Sequence, residues 1–172
     1  MAIRGARPND RRIAAHLIVR NVPKAIAFYE RAFGARVTYR SAVPPEGRVL
    51  HAQLKLGDSF VLVSEENMGM PEETYAQYET GIRTRSPETL RGTSCILELY
   101  VDDADRAFQR AIEAGATPKI PVSDAFHGDR YGQVVDPFGH VWALATVLET
   151  LEPEQVDARA AAHFGQMQDA ER

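Results

Sequence analysis

The sequence predicts an α+β fold built from two tandem βαβββ modules. Three observations carry that expectation. Apolar runs of strand length alternate with two stretches of helical periodicity. Gly and Pro turns punctuate both halves in the same order. The halves also repeat: Val19 falls on Val101, Ala25 on Ala107, Gly57 on Gly139 and Ser64 on Thr146, all at an offset of 82 residues.

Residues 1–12 are basic and turn-rich, and read as a loose lead-in. Residues 13–19 form a short β-branched apolar run, the first strand of a module spanning 13–64. Asn21 is placed to cap a helix, with Pro23 in its first turn and Gly34 as its stop. Between them Ala25, Ile26, Phe28, Tyr29, Ala32 and Phe33 recur on one helical face. Strands follow at 36–42, 48–56 and 59–64, separated by the turns Pro44-Pro-Glu-Gly47 and Gly57-Asp58. Residues 65–93 are polar and too long for a bare connection, so they read as a linker or lid that carries function or partial helix. The second module spans 94–149: a strand at 95–101, a helix at 104–114 capped by Asp103 and stopped by Gly115, and strands at 117–122, 130–136 and 140–146. Residues 150–172 form an acidic tail expected to be helical.

Composition bounds the function. The 172 residues are 44% hydrophobic and 26% charged, with 20 Lys+Arg against 24 Asp+Glu. That is an ordinary globular composition, large enough for a core without staples. No basic stripe marks a nucleic-acid binder. No apolar run is long enough for a membrane helix, and no signal peptide is visible. The single Cys95 closes no disulfide within the chain. These features predict a cytoplasmic protein with a small-molecule partner, no nucleic acid and no membrane. Phosphate-binding glycine loops, dinucleotide fingerprints and nucleophile elbows are absent.

The duplicated chain resembles the vicinal oxygen chelate superfamily of glyoxalases, bleomycin-resistance proteins and extradiol dioxygenases, over about residues 13–150. Its motifs look most like the PhnB-like branch. The carrying segments are Ala25-Ile-Ala-Phe-Tyr-Glu-Arg-Ala-Phe-Gly-Ala35, His51-Ala-Gln-Leu-Lys-Leu-Gly-Asp58, Leu99-Tyr-Val-Asp-Asp103, and Gly128-Asp-Arg-Tyr-Gly132 through Asp136-Pro-Phe-Gly-His-Val-Trp142. The resemblance implies sheets curled around a cleft and a homodimer. It leaves the chemistry open, because this fold hosts lyases, dioxygenases, epimerases and sequestering proteins.

Metal-dependent members of that superfamily hold one divalent ion with four side chains, one from the first and one from the last strand of each module. The matching positions here are Ala14, Val61 or Leu62, Ile96 and Ala143. None has a lone pair to offer, so no metal and no other cofactor is expected. The alternative is one divalent ion on a shifted set, His16, His51 and Glu98. His16 and Glu98 are equivalent under the repeat and share strand faces with Ala14 and Ile96. An imidazole and a carboxylate in an apolar cleft can move a proton, which makes His16 and Glu98 the candidate catalytic pair. The plainer alternative is a structural histidine and a solvent-facing carboxylate.

Seven residues are expected to contact a ligand: His51, Gln53, Tyr100, His127, Arg130, Tyr131 and Trp142. For Arg130 the competing reading is a local ion pair at a hairpin, and for Trp142 a place in the core. Two functions from different classes follow. The chain binds a small organic molecule without converting it, as resistance proteins do, or it is a metal-independent isomerase, cyclase or lyase. A metal-dependent lyase or dioxygenase with shifted ligands is the third reading.

Overall fold

The computed structural model describes residues 13–43, 48–79, 81 and 83–170. The lead-in at 1–12 and the turn at 44–47 lie outside the described residues. The elements run β1 (Ala15–Val19), α1 (Val22–Phe33), β2 (Arg36–Val43), β3 (Arg48–Leu56), β4 (Ser59–Glu65), then α2 (Glu72–Tyr75) and α3 (Pro87–Leu90). The second module repeats the order with β5 (Ile96–Tyr100), α4 (Ala104–Ala114), β6 (Thr117–Asp124), β7 (Asp129–Val135) and β8 (Val141–Val147). Helix α5 (Pro153–Ala170) follows, as the tail composition predicts.

Each module makes its own four-stranded sheet, ordered β1-β4-β3-β2 and β5-β8-β7-β6. The first strand pairs parallel with the fourth, and the remaining pairs are antiparallel. The two main helices are delimited as their sequences require. The Asn21 side chain accepts from the Lys24 amide, and Gly34 ends α1 at φ +66°. Asp103 accepts from the Arg106 amide, and Gly115 closes α4 at φ +116°.

Strand alternation divides each sheet into a core face and an open face. Leu17, Val19, Ala52, Leu54, Val61 and Val63 form the first core face and meet α1. Val134, Trp142 and Leu144 form the second and belong to the same hydrophobic cluster. Helix α1 bridges the modules, with Phe33 4.7 Å and Tyr29 5.6 Å from the Trp142 ring. Tyr29 also donates a 2.7 Å hydrogen bond to Asp136, which accepts from Trp142 Nε1 and from the amides of Phe138 and His140. One core therefore serves both modules, and each open face is turned away from it.

The structure corrects the repeat in its last strand. His16 pairs with Leu62 and Glu98 with Ala143, so Leu62 matches Ala143 one residue short of the 82-residue offset. The shortfall arises before the last hairpin: Gln53 matches Gln133 at an offset of only 80, and the longer 136–140 connection, against the two-residue turn at Gly57-Asp58, recovers one residue. Ser64 is thereby equivalent to Ala145 rather than Thr146, and Phe60 to Val141 rather than Trp142.

Residues 65–93 are not a bare loop. They hold α2, α3 and short 3-10 turns, fastened by Arg85, whose guanidinium lies 3.1 Å from Glu79 and 3.6 Å from Glu66. Glu66 also accepts from the hydroxyls of Ser86 and Thr89.

Candidate functional site

The open face of the first sheet brings four polar side chains together from three strands. His16 comes from β1, His51 and Gln53 from β3, and Ser64 from β4. Ser64 is buried, and its hydroxyl is shared: His16 Nε2 lies 2.7 Å from Oγ and His51 Nδ1 lies 2.8 Å from it. The two imidazoles meet edge to face with centroids 5.7 Å apart, and Tyr39 lies 6.2 Å from the His51 ring. Partial desolvation, and then the neighbouring His51, lower the His16 pKa. Both effects hold His16 toward its neutral form.

The open face of the second sheet carries the matching set in different chemistry. Strand register places Glu98 opposite Ala143, Gln133 opposite Ala143 on its other side, and Tyr131 opposite Ala145. His16 therefore corresponds to Glu98, His51 to Tyr131, Gln53 to Gln133 and Ser64 to Ala145. Gln133 donates to the Tyr131 phenol at 2.6 Å and accepts from Lys119 at 2.8 Å. His127 Nδ1 sits 3.3 Å from Asp129, with its ring centroid 5.6 Å from that of Tyr131. The neighbouring Glu98 carboxylate, with some burial, raises the Tyr100 pKa. Apolar area stays uncovered beside these groups: Ile96 is 50% and Tyr100 60% exposed.

Two expected ligand contacts lie elsewhere. Arg130 points to the helix side, where it makes 2.8 Å hydrogen bonds to both oxygens of Asp105 on α4 and a 3.0 Å bond to Asp124. Neighbouring residues of a strand face opposite sides, so Tyr131 and Arg130 cannot share the site. Trp142 is buried at 2% exposure on the core face, because the register shift moves it off the face of Ala143. Ser64 is the functional candidate that sequence reasoning missed. The 82-residue repeat paired it with Thr146, whose hydroxyl is spent on the Val101 carbonyl, and so disguised it.

The metal positions of the resembled superfamily do not fit an ion here. Ala14, Leu62, Ile96 and Ala143 present only hydrocarbon. Among the described residues no three of His, Cys, Asp and Glu converge on one point, so His16, His51 and Glu98 are not assembled as a ligand set within the chain. A separate groove of about 600 Å³ runs along α1 between Lys24, Phe28, Arg31 and Phe138, and shares no residue with either open face.

Comparison with known proteins gives consistent results. The family model described as Glyoxalase/Bleomycin resistance protein/Dioxygenase superfamily matches residues 12–144. The chain is 34% identical over 146 residues to the uncharacterized protein Rv0887c of Mycobacterium tuberculosis, covering 85% of this chain and 80% of that one. It is 31% identical over 132 residues to the uncharacterized protein At5g48480 of Arabidopsis thaliana, covering 72% and 70%. Among solved structures, TioX from Micromonospora sp. ML1 aligns with a TM-score of 0.60 at 27% identity, over 80% of this chain and 99% of TioX. The fosfomycin resistance protein FosX from Mesorhizobium loti aligns with a TM-score of 0.51 at 19% identity, over 84% and 93%, a likeness of fold alone.

Proposed function

The chain belongs to the glyoxalase/bleomycin resistance protein/dioxygenase superfamily, and from that premise we propose that it binds a small organic molecule over its open sheet faces without a divalent ion. The observation that carries this reading is the composition of those faces. Each sets a small hydrogen-bonding group, His16–Ser64–His51 or Tyr131–Gln133–Lys119, beside exposed aromatic and aliphatic area. Such a mixture suits a flat or polyoxygenated ligand, held by apolar area and oriented by a few polar contacts. The four hydrocarbon side chains at the superfamily's metal positions support binding without metal.

One chain turns its two open faces away from their shared core, so a ligand enclosed on both sides needs a second wall. A second copy of the chain supplies it, setting one protomer's first sheet against its partner's second. The ligand then sits between the His16 and His51 rings and the Glu98 carboxylate, whose charge favours a cationic or hydroxyl-rich molecule. This assembly corresponds to a cytoplasmic homodimer of the PhnB-like branch acting by sequestration.

A second reading, metal-independent proton transfer in an isomerase, cyclase or lyase, is favoured by the lowered pKa of His16, which keeps that ring a base. Native mass spectrometry and thermal shift across a panel of planar and polyoxygenated compounds test the first reading. A compound that raises Tm and binds a species of twice the chain mass is expected. A stoichiometric divalent ion recovered with the purified protein overturns the metal-free reading. Chemical change of the bound compound, lost in His16→Gln with binding retained, decides for turnover.

A further inference from the structure

We propose that Ser64 joins His16 and His51 into a two-histidine proton relay on the open face of the first sheet. The bonding capacity of a hydroxyl requires a direction. Ser64 Oγ carries one proton and lies within hydrogen-bond distance of His16 Nε2 and His51 Nδ1, at 2.7 and 2.8 Å. It can donate to only one of these nitrogens, so the other must be an N–H that donates to it. The arrangement that keeps both rings in the intrinsically favoured Nε2–H tautomer has His16 Nε2–H donating to Oγ, and Oγ–H donating to His51 Nδ1. His16 is then basic at Nδ1, on an exposed ring, while Ser64 itself is buried between the two imidazoles.

The relay closes without any outside reactant. His16 Nδ1 takes a proton from an acidic group of a bound molecule, which is left as its conjugate base. The Nε2 proton of His16 passes to Ser64 Oγ as the hydroxyl's own proton passes to His51 Nδ1. The positive charge has moved to His51, Ser64 is again a neutral hydroxyl, and His16 is neutral with its proton on Nδ1. Reversal returns the proton to the same ligand face. Ser64 is a positioning residue here, because it acts through the histidines.

Other groups bear on the pair. Tyr39 on β2 is beside His51, while Arg36 and Lys55 lie further along the same face. The Arg48–Glu65 ion pair flanks Ser64 along the chain and across to β3. The second sheet has no equivalent relay, since Ala145 stands in the place of Ser64 and Glu98 in that of His16.

Use of the relay on a ligand rests on the binding function proposed above; the relay itself is tested in ligand-free protein, so the two can fail separately. Nitrogen-detected NMR of the His16 and His51 rings across a pH titration is the measurement. In the unaltered chain each ring is expected in a single tautomer at neutral pH, with both responding together to the first proton. Ser64→Ala removes the hydroxyl while leaving the charge interaction, and is expected to give mixed tautomers and a first proton confined to one ring. Ser64→Thr is expected to restore the original pattern. If Ser64→Ala leaves tautomers and titration curves unchanged, the relay is wrong. Should that variant fail to fold, His51→Gln serves: it is expected to reduce the His16 response to one step and release its fixed tautomer, and an unaltered His16 curve overturns the proposal.

Discussion

Asp136 accepts from four donors, a phenol, an indole and two backbone amides, while almost fully buried. Burial, and then the adjacent carboxylate charge, hold the Tyr29 pKa well above its usual value, so the phenol stays a donor. Tyr29→Phe leaves the packing and removes one hydrogen bond to a charged acceptor, and should cost about 1.5–3 kcal/mol in denaturant unfolding. His16 gives a pH signature of known sign. Its folded pKa lies below the unfolded value, so the unfolded chain binds more protons near pH 6, and stability falls as pH drops through 6.5 toward the folded value. Denaturant midpoints at pH 7.5 and 5.5 should show this loss in the unaltered chain and a smaller one in His16→Gln. The His residues and Gln53 were legible as site candidates because strand alternation put them on one face. Ser64 was not, since a hydroxyl becomes informative only when two nitrogens meet it.

At the scale of elements, the segment between the modules is held by charge rather than by apolar burial. Arg85 is its fastener, with a side chain only 8% exposed among Glu66, Glu72 and Glu79. Arg85→Ala leaves these carboxylates facing one another. Amide exchange across 66–90 should accelerate at least tenfold, while β3 and β4 keep their protection, as hydrogen-exchange mass spectrometry can read. The same segment meets the 136–139 turn, where Gly139 has φ +87° and an added Cβ would lie 2.8 Å from Pro87 Cβ. Gly139→Ala is therefore both strained and crowded, and should cost more than about 1 kcal/mol in unfolding free energy. Composition and length marked 65–93 as a polar segment with function or partial helix, but the bounds of its short helices were hidden, because ion pairs between distant residues leave no periodic pattern.

For the whole molecule, the shared core makes two modules one folding unit. Trp142 belongs to β8, yet it packs against Tyr29 and Phe33 of the first module's helix. Trp142→Ala should cost about 3–5 kcal/mol, and unfolding should remain a single transition by calorimetry rather than splitting by module. Helix spans were set by local signals, and α4 is found at the predicted bounds of 104–114.

The sequence by itself determined the duplicated α+β architecture, the helix limits and the hydrocarbon at the superfamily's metal positions, because caps, turn glycines, periodicity and residue type are local properties. Tertiary structure decided which faces work. Differences in length between the modules, accumulated before β8, shifted that strand by one residue against the repeat and put Trp142 in the core. Packing of both core faces on one helix pair turned the open faces outward, and pairing of β1 and β3 with β4 brought two histidines to Ser64. Such outcomes depend on register and on contacts between distant strands, which the order of residues along the chain does not display.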